Sequence, residues 1–103
     1  MSGWVSLETD APMWRWQTTL TVAEPDSGSQ SLAIVTAPTL QIEGEFGTAL
    51  LDVLVSNSDE GYHRVGVYQD PEWVPLPPAY RVRVRVSDAD ETTALVVTVA
   101  GRR

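Results

Sequence analysis

The amino-acid sequence predicts an all-β fold, a single antiparallel β-sandwich of about seven to eight strands, with a small β-barrel as the alternative. Polar and apolar side chains alternate with a period of two along most of the chain, as they do in half-buried strands. Turn-forming residues recur at intervals of about eight to twelve residues, and no helical periodicity continues for about ten. A length of 103 residues allows one hydrophobic core, so we assign residues 1–103 to one domain.

The first half of the chain contains three segments with strand character. Alternation is clearest at residues 14–22, where the tryptophans share one side with other apolar residues. Turn-forming residues at 25–30 lead into a short apolar strand at 32–36, which Ala37-Pro38 closes. The third strand is predicted at residues 40–46.

The middle of the chain contains one ambiguous segment. Gly44 and Gly47 indicate a bulge or a tight bend after the third strand. Residues 49–55 have the composition of a short helix or of a strand. Their β-branched end and the turn that follows favour a strand.

Proline and arginine dominate the last part of the sequence. A strand is predicted at residues 62–69, and residues 70–78 are predicted to lie outside any sheet because their four prolines lack hydrogen-bond donors. Residues 80–86 alternate valine with arginine, residues 88–91 form an acidic turn, and residues 92–100 alternate again. This pattern predicts a closing hairpin.

Two resemblances accompany this pattern. The segment Leu76-Pro77-Pro78-Ala79-Tyr80-Arg81-Val82-Arg83-Val84-Arg85-Val86-Ser87 resembles the penultimate strand of fibronectin type III domains. This resemblance implies an immunoglobulin-like sandwich with Tyr80 as a fixed corner residue. In its short, acidic, cysteine-free and mostly β character, the chain resembles small auxiliary structural proteins of tailed bacteriophage virions.

Composition narrows the range of partners. The net charge is −7 and the pI is about 4.4, which argues against nucleic acid and anionic membranes. The absence of cysteine excludes disulfides and thiolate metal sites. The chain shows neither a signal-peptide pattern nor a membrane-spanning apolar stretch, so we expect cytoplasmic synthesis followed by incorporation into a virion.

Residues for catalysis are scarce, and we expect neither an enzyme nor a bound cofactor. The single histidine, His63, lies in a predicted strand, and no Gly-x-Ser-x-Gly sequence provides a nucleophile. The best metal candidate is a calcium site at Asp88, Asp90 and Glu91, although three carboxylates are fewer ligands than calcium usually takes. Pro77-Pro78-Ala79-Tyr80 matches a motif that WW domains bind, but a fixed Tyr80 would prevent that interaction.

Tryptophan carries the main functional signal. Trp14 and Trp16 are predicted to lie in the core, whereas Trp4 and Trp73 are predicted to anchor a protein interface. The other interface candidates are Val74 and Leu76 near Trp73, and an arginine stripe formed by Arg81, Arg83 and Arg85. The alternative for the stripe is a solvated face that pairs with acidic neighbours.

These residues favour a non-enzymatic structural or assembly protein that binds another protein surface. Residues 1–12 and the segment around Trp73 would dock, with a capsid or tail protein as the expected partner and homo-oligomerisation as a further possibility. An acidic inhibitor or regulator of a host enzyme is one alternative. A carbohydrate- or ligand-binding sandwich that stacks Trp73 with Tyr62 or Tyr68 is the other.

Overall fold

Two antiparallel sheets form a β-sandwich in the computed structural model, which describes residues 3–7, 13–33, 35–58 and 61–102. The strands of this part of the chain are β1 (Val5–Leu7), β2 (Met13–Thr21), β3 (Gln30–Ser31), β4 (Thr36–Glu45), β5 (Leu50–Ser56), β6 (His63–Tyr68), β7 (Glu72–Pro75), β8 (Arg81–Ser87) and β9 (Ala94–Arg102). One sheet has the order β1-β2-β9-β4-β7, and the other has the order β3-β8-β5-β6. The predicted all-β sandwich is confirmed.

The core lies between the two sheets and is built from the alternating apolar residues of the long strands. Leu20, Leu40 and Val97 of the five-stranded sheet join one cluster with Leu51 and Val84 of the four-stranded sheet. All five are fully buried. The strand alternation visible in the sequence therefore identifies the inward face of each sheet correctly.

The two last strands do not form the predicted hairpin. β8 pairs with β3 and β5, whereas β9 pairs with β2 and β4 in the opposite sheet. The acidic turn at residues 88–91 therefore crosses from one sheet to the other. In an immunoglobulin sandwich the last two strands are neighbours in one sheet, so the strand order departs from the one that the fibronectin resemblance implies.

Prolines lie within strands at two places where the sequence predicted a break. Pro38 belongs to β4, at a position where the pairing of β4 with β9 shifts register between Thr36 and Thr39. Pro75 belongs to β7, which is the last strand of the five-stranded sheet. Bulges and edge strands tolerate proline because no ladder hydrogen bond needs its missing N–H. The prediction that residues 70–78 lie outside any sheet is thus wrong for Glu72–Pro75.

The ambiguous segment and the glycines behave as the sequence indicates. Residues Leu50–Ser56 form strand β5 and no helix. Gly47 has a φ of 59° in the turn that connects β4 to β5 across the sandwich. Gly44 has a φ of 107° and lies so close to the backbone of Ala94 that a side chain there would collide with the carbonyl group.

Candidate protein-docking surface

Trp73 lies at the margin of the five-stranded sheet, on the side that points away from the core. It belongs to the edge strand β7 and lies opposite Gln41 of β4. Because side chains alternate along a strand, Val74 points into the core cluster and Trp73 points to solvent. Trp73 is 63% exposed, the largest value among the exposed large hydrophobic residues that the structure describes.

Trp73 is also one end of a row of side chains that crosses all five strands. Directly opposite residues on neighbouring strands share a face, and the pairing runs through Val5, Gln17, Thr98, Gln41 and Trp73. In the middle of the row, Gln17 Nε2 donates a hydrogen bond to Thr98 Oγ1 at 3.1 Å. At the far end, Val5 is 62% exposed. The row therefore has a hydrogen-bonded polar centre and an exposed apolar residue at each end.

We call the outward side of the five-stranded sheet the Trp73 face. The rows beside the one just described contain mainly small or uncharged side chains, namely Leu7, Thr19, Thr39, Val96, Ala100 and Pro75, together with Arg15 and Glu43. Depletion of charge and the presence of an aromatic residue distinguish protein interfaces from ordinary surface. The Trp73 face has both properties.

Two residues predicted to dock beside Trp73 are not available to a partner. Val74 is 4% exposed and Leu76 is 7% exposed, and both belong to the core cluster. Their assignment to the interface is therefore wrong. The prolines around them suggested a loop, but the edge strand turns Val74 inward and Leu76 follows the strand into the end of the core.

Trp4 is held by the sandwich itself. It is half-buried, packs against the core, and its Nε1 donates a hydrogen bond to the carbonyl oxygen of Gly28 at 3.0 Å. Docking through Trp4 stays a prediction, and the exposed apolar side chain of this strand is the neighbouring Val5. Within the predicted docking segment 1–12, residues 1–2 and 8–12 lie outside the described residues.

Trp14 and Trp16 lie in the core, as the sequence predicts. Trp16 is buried, and Trp14 is half-buried and packs against the core cluster. Their rings are stacked with centroids 6.1 Å apart and an interplanar angle of 6°. The period of two along β2 places both rings on the inward side of the strand.

The arginine stripe lies on the outward side of the four-stranded sheet and finds partners within the chain. Arg83 binds both carboxylate oxygens of Asp26. The Arg85 Nε lies 3.6 Å from Asp52 Oδ2, and the Arg64 Nε lies 3.2 Å from Asp52 Oδ1. This arrangement supports the alternative of a solvated face with acidic neighbours, so we leave the stripe out of the proposed interface.

Arg81 and the Asp26–Arg83 pair complete this network. The guanidinium of Arg81 lies 5.0 Å from the centroid of the Tyr80 ring. The hydrogen bonds from Arg83 lower the pKa of the Asp26 carboxyl below its usual value, against the opposing effect of partial burial. The same pairing raises the pKa of Arg83. Both groups therefore remain charged across the neutral range.

Hydrogen bonds to the Asp90 carboxylate hold the acidic turn together. The Asp90 carboxylate accepts hydrogen bonds from the backbone N–H of Thr92 at 2.9 Å, from its hydroxyl at 2.7 Å, and from the backbone N–H of Thr48 at 3.2 Å. These bonds, led by the Thr92 hydroxyl, lower the pKa of Asp90. Within the described residues no three acidic or histidine side chains form a metal-binding group, so the calcium candidate at Asp88, Asp90 and Glu91 is corrected.

The remaining aromatic and titratable candidates do not meet at the Trp73 face. His63 is exposed on β6, as expected for a surface strand histidine. The Tyr62 hydroxyl hydrogen-bonds Ser29, and the guanidinium of Arg83 lies 5.8 Å from the centroid of the Tyr62 ring. Tyr68 packs against the core. Neither tyrosine therefore forms a stacking platform with Trp73.

An apolar groove of about 560 Å³ opens at one end of the sandwich. Leu32, Val35, Pro38 and Leu76 contribute to its wall, and Tyr80 lies at its rim. Tyr80 is 42% exposed, and its role as a fixed corner residue stays a prediction. The backbone of Tyr80 nevertheless bonds both Ser56 and Leu32, which leaves it less free than the extended peptides that WW domains bind.

Two comparisons, with protein families and with curated proteins, give no match. No protein-family model matches the chain, and no curated protein is significantly similar to it. Among the described residues, none forms a helix that is long and apolar enough to span a bilayer. The geometry of the Trp73 face is therefore the main indication of function.

The sequence indicates that Trp73 is exposed, but it does not indicate the surface to which Trp73 belongs. The period of two in β1 places Val5 on the side opposite Trp4. What the sequence could not show is that β1 and β7 are the two margins of the same sheet. This placement depends on β9, which inserts between β2 and β4 from the far end of the chain.

Proposed function

We propose that this chain is a non-enzymatic assembly protein that docks another protein against the Trp73 face. The observation that carries the proposal is the 63% exposure of Trp73 on an outward sheet surface of low charge. Covering such a ring would remove on the order of 150 Å² of mostly apolar surface from water. At about 25 cal/mol per Å², this is worth about 4 kcal/mol before the costs of association.

The local structure favours Trp73 as an anchor. β7 pairs with β4, follows Pro71 and ends at Pro75, and both prolines restrict the backbone before binding. A side chain on a stiff strand loses less conformational entropy on docking than one on a mobile loop. Tryptophan is also among the residues most often found to dominate interface energetics.

Charge distribution supports an assembly role over an acidic inhibitor. An inhibitor of a basic enzyme would concentrate carboxylates on its docking surface. The described outward positions of β2, β4 and β9 instead hold two arginines and two glutamates, Arg15, Arg102, Glu43 and Glu45. The stacking alternative is less favoured because Tyr62 and Tyr68 lie away from Trp73.

We further propose that the assembly in which the chain functions is the particle of a tailed bacteriophage, as a capsid decoration, connector or tail protein. The general character of the sequence supports this class of assembly: it is short, acidic, free of cysteine and mostly β. The docking geometry itself is independent of this narrower proposal and can be tested without it.

Site-specific photo-crosslinking tests the docking surface. Trp73 is replaced by p-benzoyl-phenylalanine in cells that make the protein, and Val67, which is 43% exposed on the other sheet, is replaced in a control. We expect one protein to be crosslinked from position 73 and not from position 67. Excess wild-type chain should compete for this product, and excess Trp73→Thr chain should not.

Stability measurements keep this result interpretable. Threonine, like tryptophan, is favoured in strands, so Trp73→Thr should change the free energy of unfolding by only about 0.5 kcal/mol or less. Two results would contradict docking through the Trp73 face. One is equal crosslinking from positions 67 and 73, and the other is equal competition by wild-type and Trp73→Thr protein.

A further inference from the structure

We infer that the partner seated on the Trp73 face is a second copy of this chain. The inference rests on the proposed function and names its partner. Val5 and Trp73 are the two exposed ends of one row, separated by four strand spacings, which is about 19 Å. A two-fold axis that lies between two such faces, parallel to β9, places each Trp73 over the β1 margin of the other copy. Each indole then covers the exposed Val5 of its neighbour.

Two-fold docking requires a surface that complements itself. The row meets this requirement because its exposed apolar groups lie at equal distances on either side of the central residue Thr98. A rotation of 180° about this axis places the β1 end of one copy over the β7 end of the other. Thr98 of one copy then faces Thr98 of the other. The side chains near the centre are Val96, Thr98 and Ala100, which are short enough for two sheets to approach to about 10 Å.

The distribution of charge also favours a second copy. The chain carries a net charge of −7, so two copies repel each other at long range. The described outward positions of β2, β4 and β9 hold two arginines and two glutamates, and their charges cancel. The outward positions of β1 and β7 add no charge to this face. In this arrangement Arg15 faces Thr39 of the other copy and Glu43 faces Thr19, so like charges do not meet in the rows around Thr98. Arg102 lies on the axis at the end of β9, four residues from Thr98, and is where the two copies bring like charges closest.

The size of the face is typical of a weak, reversible interface. The three long strands cover about 14 Å by 27 Å, and the short strands β1 and β7 add about 5 Å of width over about 10 to 13 Å of length each, so each copy offers about 500 Å². A standard interface buries about 800 Å² on each side. This face lies below that value and above typical adventitious contacts. We therefore expect a reversible dimer with a dissociation constant on the order of 10 µM.

Sedimentation equilibrium of the purified full chain tests the inference. Protein is examined from about 1 µM to 1 mM at about 20 mM and 500 mM sodium chloride. We expect a monomer–dimer equilibrium whose dissociation constant falls severalfold at high salt, because salt screens the repulsion between acidic copies. Docking onto a basic protein surface would show the opposite dependence on salt.

Variants assign the dimer to the Trp73 face. Thr98→Arg places two like charges face to face at the axis and should weaken the dimer at least a hundredfold. Gln69→Arg adds the same charge at an exposed position outside the described strands and serves as the matched control. Trp73→Thr and Val5→Thr should each weaken the dimer about tenfold or more, and Val67→Thr should leave it unchanged. If Thr98→Arg does not fold, as judged by circular dichroism, Trp73→Thr and Val5→Thr decide the question.

The outcomes separate this inference from the proposed function. A chain that remains monomeric at 1 mM in both salt conditions overturns self-docking, and so does a dimer that both Trp73→Thr and Val5→Thr leave intact. If position 73 then crosslinks to a different protein, docking through the Trp73 face stands with another partner. If position 73 crosslinks to nothing, both proposals fail.

Discussion

Replacing Thr18 by valine is expected to stabilise the protein. Thr18 lies on the inward side of β2, is 2% exposed, and its Oγ1 has no hydrogen-bond partner among the described residues. A buried hydroxyl without a partner costs about 1–3 kcal/mol relative to water. Valine has nearly the same shape and exchanges the hydroxyl for a methyl group. We therefore expect the free energy of unfolding to rise by about 1–2 kcal/mol. Each kcal/mol should raise Tm by roughly 4–8 °C.

Urea denaturation followed by tryptophan fluorescence measures this change, because Trp16 is buried two residues away on the same face. All variants are compared at one low protein concentration, so that any self-association contributes equally. Thr18→Ser keeps the hydroxyl, removes a methyl group and should lose about 1 kcal/mol. Thr19→Val, on the exposed side of β2, should change stability by less than about 0.5 kcal/mol. Destabilisation by Thr18→Val, with an unchanged m-value, would refute the reasoning.

Three further predictions concern charge and backbone. Asp26→Asn loses the paired hydrogen bonds from Arg83 and should lower stability at pH 7 by about 1 kcal/mol. Because pairing lowers the pKa of Asp26 in the folded state, its contribution is complete above the unfolded pKa and is lost as pH falls through the folded one. The difference between wild type and Asp26→Asn should therefore shrink below about pH 4 in urea titrations. Asp90→Ala removes the acceptor that holds the acidic turn and should lower Tm in a thermal melt; an unchanged Tm would show that the turn does not need it. Ala37 has a φ of 51°, so Ala37→Gly should raise stability by about 0.5–1 kcal/mol, whereas Ala23→Gly, which lacks a positive φ, should lower it by a similar amount.

Periodicity predicted the inward face of each long strand because burial is a local property of alternating side chains. The residues Leu20, Val84 and Val97 all lie where a period of two places them. Pairing partners are not a local property. The sequences of β8 and β9 have all the signs of a hairpin, yet the turn between them crosses the sandwich. Asp90 holds that turn to Thr48, 42 positions earlier in the chain, through a contact that no local pattern reveals.

The candidate site shows the same division between local and long-range information. An exposed tryptophan beside prolines was recognisable at Trp73, whereas the burial of Val74 and Leu76 was not. Proline suggested a loop there because the sequence does not indicate which strands lie at the edge of a sheet, the position where proline is tolerated. The sequence likewise predicts that Asp26 lies in a turn. It does not indicate that the Asp26 carboxylate pairs with Arg83, which is 57 positions later in the chain.

The position of β9 has a consequence for how the chain folds. Within the described part of the five-stranded sheet, β1 and β2 form one half and β4 and β7 form the other, and β9 alone joins them. Until this strand arrives, both halves present unpaired backbone edges that can recruit strands from other molecules. Its pairing with β2 joins residues about 80 positions apart, such as Thr18 and Val97, and closing so long a loop is slow. Aggregation during refolding should therefore depend on how quickly β9 inserts, and crowded or warm refolding conditions would favour intermolecular strand exchange over the native sheet.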